Sequence, residues 1–324
     1  MAEERIASGG YTLYAASHVD DGGIYKYSLS LEGRLTLTDF VSLERPSYFI
    51  KRGGILHTTL RAPRSLGGEG GYLAVSADLK STGELHSTKG VGVCHLAVTA
   101  EGVYATNYAS GSVTKIGGRC VEHKSTEHNC PGRQDKPHAH FVTETPDGRY
   151  LAVCDLGLDK IIVYDKELNF VSDVSVPDGA GVRHLVFNRA GDLAYTANEL
   201  DSTTSVLRYA DGRFTLIDTV SPEIAAEENY AAAVRLSADG DRLYVSQRGE
   251  NAVSIYKVDG ESLSLERTVS VHGNFPRDIA LSPDGRFLVA ANERSGSITV
   301  LDCERDYALT DSIALADALC VLVE

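Results

Sequence analysis

The chain has 324 residues, 43% hydrophobic and 23% charged, the proportions of an ordinary globular protein with a sizeable core. Its net charge of −14 argues against a nucleic-acid partner, because phosphate binding needs a basic face. No apolar run is long enough for a membrane helix, and MAEERIASGG lacks the basic start and apolar middle of an export signal. The expected location is the cytoplasm. The six cysteines (94, 120, 130, 154, 303 and 320) are too sparse for a disulfide scaffold and are expected as reduced, mostly buried thiols.

In chain order, SGGYTLYAAS (8–17) supplies a turn and one strand. PSYFIKRGGILHTTL (46–60) is a weak hairpin pattern, and CHLAVTAEGVYATNYA (94–109) is one with a short second strand. Four stretches then read alike: HFVTETPDGRYLAVCDLG (140–157), RHLVFNRAGDLAYTANEL (183–200), AAVRLSADGDRLYVSQRG (232–249) and RDIALSPDGRFLVAANER (277–294). Each is an alternating apolar run, a turn closing on glycine, and a second alternating run, which is a β-hairpin. Further strands are predicted at 160–166, 204–210, 252–258 and 297–303, then at 213–220 and 264–271. The turn glycines 10, 54, 102, 148, 191, 240 and 285 are spaced 44, 48, 46, 43, 49 and 45 residues apart. A period near 45 without helical pattern marks four-stranded blades. The prediction is an all-β, seven-bladed β-propeller in one domain spanning 1–324. The first blade lacks an inner strand, and ALCVLVE (318–324) is a strand without a hairpin, so it is expected to pair beside 11–17 and close the ring. Two loops are long, 62–71 and 117–137, and loops of that kind tend to be functional.

In a propeller the start of strand one and the end of strand two share one rim of the channel. Eight residues before the turn glycines stand Pro46, Cys94, His140, Arg183, Ala232 and Arg277. Seven and eight after them stand Ser17/His18, Asp155/Leu156, Asn198/Glu199, Gln247/Arg248 and Asn292/Glu293, with Asn107/Tyr108 equivalent in the short hairpin. A purely structural position would repeat one residue type. Arginines, a histidine, a glutamate and carboxamides converging on one funnel suit an anionic, oxygen-rich small molecule.

At these residues the chain resembles the β-propeller lactonases, a family that includes propeller-type 6-phosphogluconolactonases and fungal carboxymuconate-lactonizing enzymes. The resemblance rests on RQDKPHAH (133–140), VRHLVFN (182–188), ANELDSTTSV (197–206), VSQRGENAVSIY (245–256) and FPRDIALSPDGRFLVAAN (275–292). It is weakest around the first two blades and in loop 62–71. It implies hydrolysis of an anionic lactone, most of all 6-phospho-glucono-lactone, without a metal or redox cofactor. It places the family's functional histidine, arginines and glutamate on His140, Arg183, Glu199 and Arg277.

Lactone hydrolysis adds water to an ester carbonyl and expels an alkoxide. His140 is the natural base at neutral pH, though Glu199 could be the base, orient His140 or protonate the leaving group. Arg183 or Arg277 would stabilise the oxyanion, while the other, with Arg133 or Lys136 from the long loop, would hold a phosphate or carboxylate. His138, Asn107, Asn198 and Arg248 complete the expected substrate contacts.

Two zinc readings compete weakly. His138 and His140 would point the same way on a strand, and Cys120, His123, His128 and Cys130 are zinc-type ligands in a non-standard spacing. No nucleophile elbow and no phosphate-binding P-loop are present. The rival functions are a carboxymuconate-type lactonizing enzyme, a metal-dependent sugar lactonase of another propeller family, and a non-catalytic interaction platform. The last fits poorly with a polar rim in a chain without tryptophan.

Overall fold

The computed structural model describes residues 9–125 and 132–324. Their strands form seven four-stranded antiparallel sheets. These are blades 1 to 7, with inner strands Ala318–Val323, Pro46–Arg52, Val93–Val98, Ala139–Glu144, Val182–Phe187, Tyr230–Leu236 and Pro276–Leu281 in that order. Each inner strand touches that of the next blade, and blade 7 touches blade 1, so the ring is closed. The closure is the expected one. Ala318–Val323 pairs antiparallel with Tyr11–Ser17, with Leu13 opposite Val323 and Ala16 opposite Cys320.

The hairpin turns explain the repeat. In blade 4 the Thr145 hydroxyl donates to Asp147 at 2.6 Å, and Gly148 takes a φ of 68°, which only glycine adopts cheaply. Ser282, Asp284 and Gly285 rebuild the same turn in blade 7, with a 2.6 Å bond and a φ of 77°.

The core is distributed rather than central. Seven apolar clusters each straddle one pair of adjacent blades, one cluster per interface. The cluster between blades 7 and 1 joins Leu13, Tyr27 and Val321 to Phe287 and Val289. The thinnest lies between blades 2 and 3 and rests on Tyr72, Val93, Leu96 and Ala105, where the sequence repeat is most degenerate.

Two expectations need correction. The long segment 117–137 is not all loop: Cys120–Glu122 is the fourth strand of blade 3. In blade 2 the hairpin is shorter, and Ser47 rather than Pro46 takes the rim position.

Burial across the closing interface makes ring closure a stability term. Leu13 is fully buried there. Leu13→Ala should cost about 2–5 kcal/mol in urea denaturation, still as one cooperative transition. A loss below about 1 kcal/mol would mean that blades 7 and 1 are not packed as described.

Candidate active site at the channel mouth

Every inner strand carries one extra residue relative to its partner strand at the same height. The register shifts fall at Leu319, Ser47, Cys94, His140, Arg183, the Ala232–Ala233 pair and Arg277. Each is a β-bulge, which re-aims a side chain out of the regular alternation. Six of the seven bulged side chains line a cavity system at one mouth of the ring, Ala232 and Ala233 being too small to reach it. The upper cavity, of about 220 Å³, adds Arg61, Tyr108, Arg133, Glu199, Arg248 and Phe275. One residue deeper, Tyr48, His95, Phe141 and His184 stack against one another with ring separations of 4.0, 4.2 and 4.8 Å and plug the channel.

Glu199, 2% exposed, organises the site. Its carboxylate accepts from Arg183 Nε at 2.9 Å, meets Arg248 at 2.7 Å, and accepts from Arg133 at 2.5 Å. Burial alone would favour the neutral acid, but Arg248, Arg183 and the other neighbouring cations hold the carboxyl well below the usual carboxylate range. The two buried arginines also donate to blade 6 carbonyls, Arg183 to Ala232 at 2.9 Å and Arg248 to Ala231 at 3.1 Å. Burial, then Arg248, pushes the Arg183 guanidinium down to about 9, so it stays charged at neutral pH.

His140 is 5% exposed, and its Nδ1 has no hydrogen-bond partner among the described residues. Burial, then Arg183, holds its pKa well below the ordinary histidine value, so the ring is neutral at physiological pH. Arg277 donates to Glu293 at 3.1 Å and borders both cavities.

His140, Arg183, Glu199 and Arg277 therefore meet at one mouth, as the rim positions predict. Arg133 and Arg248 join them in the upper cavity. Four expected substrate contacts do not. Asn107 is buried inside blade 3, donating to Ser112, Thr114 and the Thr88 carbonyl. Asn198 does the same inside blade 5 with Thr203 and Ser205. Lys136 is exposed and donates to the Ala109 carbonyl at 2.9 Å. His138 lies outside the strand, stacked on Tyr108 at 4.3 Å and bonded to the Tyr108 carbonyl. The bulge at His140 breaks the alternation that would have aimed both histidines together.

The long segment is pinned before it reaches the mouth. His123 pairs with buried Asp155, and Gln134 donates to Leu156 and Asp159 at 2.8 Å. Gly157 makes room for it, because a Cβ there would sit 1.9 Å from the Lys136 carbonyl oxygen. This delivers Arg133 onto Glu199 and the Tyr108 hydroxyl. Among the described residues no group of three His, Cys, Asp or Glu is arranged to hold a metal. His128 and Cys130 of the second zinc reading lie outside the described residues.

Sequence reasoning missed Arg61, although it stands seven residues after Gly54 and the rim count carried through blade 2 would have selected it. Larger grooves of about 690 and 700 Å³ lie on blades 6 and 7, where Arg242 pairs with Glu266 and Arg267 with Asp306.

A closed seven-bladed propeller with an arginine-lined pocket at one end of a plugged channel defines the class. Within it, the chain belongs to the family described as "Lactonase, 7-bladed beta-propeller", whose profile matches residues 7–320. An uncharacterized protein of Staphylococcus aureus strain N315 is 32% identical over 323 residues, covering 91% of this chain and 92% of that one. Among solved structures, a candidate 6-phosphogluconolactonase of Bacteroides fragilis superposes with a TM-score of 0.86 at 25% identity, covering 98% of this chain and 99% of that one. A protein of Lactobacillus plantarum gives 0.87 at 29% identity, with the same coverage. The periplasmic gluconolactonase of Pseudomonas aeruginosa shares the fold at a TM-score of 0.86 and 24% identity, over 97% of this chain and 98% of that one.

The channel histidines predict acid sensitivity. Burial holds His95, His140 and His184 neutral in the folded state, with pKa values well below 6.5. Their stabilisation is complete above the unfolded pKa, about 6.5, and is lost as pH falls, at up to about 1.4 kcal/mol per pH unit for each ring. Unfolding free energy should therefore drop steeply between pH 6.5 and 5; His18, pushed down to about 4 by burial and then Arg61, adds to the same slope, so His184→Phe should flatten it by no more than about a quarter. An unchanged slope in the variant would refute the burial argument.

Proposed function

We propose that the protein is a lactonase that hydrolyses 6-phospho-glucono-lactone to 6-phosphogluconate. The observation that carries this reading is the buried neutral His140, with a nitrogen free of partners, in the wall of an arginine-lined cavity. Family membership supports the lactone, and the similarity to the Bacteroides fragilis candidate 6-phosphogluconolactonase supports the phosphorylated sugar.

In this reading His140 takes a proton from water as the water oxygen bonds to the ring carbonyl carbon. The carbonyl π electrons move onto oxygen, and Arg277 stabilises that charge. Collapse of the tetrahedral adduct breaks the bond to the ring oxygen, which takes the proton from the His140 imidazolium. Glu199, saturated with arginines, is too weak a base for the first step. Its work is to hold Arg183 and Arg248. Burial, with the cationic wall, keeps His140 neutral and also makes it a weak base in the empty site. An anionic substrate offsets that field and raises the imidazole's proton affinity when it is needed. Side chains carry every step, so the reading calls for no metal or redox cofactor.

The test is turnover of 6-phospho-glucono-lactone by purified protein, corrected for spontaneous hydrolysis. His140→Ala should lower kcat by about 10²–10⁴-fold. Because the free-enzyme His140 pKa lies well below 6.5, kcat/KM should stay level from pH 8 to below pH 6.5 before falling. Wild-type kcat in the alanine variant would remove His140 from the mechanism. Turnover of a carboxymuconolactone instead of the sugar lactone would reassign the substrate.

A further inference from the structure

The cations of the mouth differ in how fully they are used. Arg183 and Arg248 are committed to Glu199 and to backbone carbonyls. Arg133 is committed to Glu199 and Tyr108, and Arg277 has Glu293. Arg61 stands apart. Its Nε is buried without a hydrogen-bond partner, and the described residues place no carboxylate within salt-bridge distance of it. Glu293 and Asp317 act on it only from farther away. Burial and Arg277 outweigh them and push the guanidinium's proton affinity down.

The backbone commits the residue to this position. Arg61 immediately follows the blade 2 strand Ile55–Leu60, and its amide donates to the Arg45 carbonyl at 3.0 Å. The next residue, Ala62, sits at a φ of 49°, a left-handed conformation that is strained for a non-glycine residue. The side chain borders both cavities, as do His140 and Arg277. A half-buried arginine beside another arginine, with its Nε buried and no counter-ion of its own, lowers the stability of the empty protein. Such a residue makes sense when a ligand supplies the missing charge.

We propose that Arg61 is the specificity-determining residue of this pocket, binding an oxyanion carried by the substrate away from the reacting carbonyl. What separates the two is their pairing: Arg277 already has Glu293 and is the one assigned to the carbonyl oxygen in the reading above, which leaves the unpaired Arg61 for the remote anion. A phosphate monoester fits this role best, since it offers several acceptor oxygens to a planar fork of donors. The assignment of a remote anion to a lactone rests on the lactonase reading above, whereas the anion site itself does not.

The experiment has two arms. In the first, kcat/KM is measured on glucono-1,5-lactone, on its 6-phosphate and on a carboxylate-bearing lactone, for wild type, Arg61→Gln and Arg61→Lys. The preference for the phosphorylated over the unphosphorylated sugar should fall about 10²-fold in Arg61→Gln and be partly restored in Arg61→Lys. An equal fall on all three lactones would overturn the proposal, and a loss confined to the carboxylate-bearing lactone would replace phosphate by carboxylate as the anion read.

In the second arm, thermal denaturation is followed with and without inorganic phosphate, at constant ionic strength. Phosphate should raise the Tm of wild type and not of Arg61→Gln, while the ligand-free Tm of Arg61→Gln should equal or exceed that of wild type. A sharp drop in ligand-free Tm would mark Arg61 as a structural ion-pair partner and overturn the proposal, as would equal phosphate stabilisation of both proteins. If wild type turned over none of the lactones, the lactonase reading would fail, and the phosphate arm alone would decide for or against the anion site.

Discussion

One extra residue on each inner strand governs what this protein can do at its mouth. Without the bulge, strict alternation would point every second side chain into the interface with the next blade. With it, the residue at that height turns toward the common axis, and seven blades repeat the turn. The bulge costs a ladder hydrogen bond, which the closed ring tolerates because seven interblade clusters bury the rest of each sheet. Six bulged side chains then differ in chemistry while sharing one geometry. Function is free to vary at a position whose direction the fold has already fixed.

The second constraint is electrostatic. Removing a carboxylate and two guanidinium groups from water costs several kcal/mol per ion, and only close, well-bonded geometry offsets it. Glu199, Arg183 and Arg248 reach that geometry by distributing donors to one another and to blade 6 carbonyls. The cluster spans blades 5 and 6, and Arg133 ties the long segment between blades 3 and 4 to it. A site held in this way has little freedom to relax around a ligand. Burial, reinforced by the nearby Arg183, keeps His140 unprotonated in this setting.

The fold was legible because its signal repeats. A glycine-closed turn every 45 residues or so survives local noise, and the unmatched strand at the C-terminus foretold the closure. The site was legible in part. Counting from the turn glycine selected His140, Arg183, Glu199, Arg248 and Arg277, but it could not separate two neighbouring positions. The last residue of strand two, seventh after the turn in blades 4 and 5 and fifth in the short hairpin of blade 3, faces away from the mouth, so Asn107, Asn198 and Asp155 bond structural partners. The eighth faces the mouth, as Glu199 and Arg248 do. Side-chain polarity is the same at both, and only the strand's facing distinguishes them. His138 misled for a related reason, since one inserted residue at His140 invalidates two-residue periodicity. Arg61 escaped because its repeat is the weakest, on a blade whose hairpin is shorter.

The contrast between the whole molecule and its mouth carries the remaining argument. A chain of net charge −14 repels anions at long range, yet five arginines border the two adjoining cavities of the mouth. For the anionic substrate proposed above, the average field of the chain opposes approach and salt screens it within about 10 Å, so attraction rests on the local field of the mouth. Recognition has to occur at contact range, inside a cavity of about 220 Å³ closed below by the aromatic plug. That volume is nearer to one small ring with its substituents than to a nucleotide or a peptide. Small size, a blind end and donors fixed by buried ion pairs all act together, and they favour a compact anion over a larger one of the same charge.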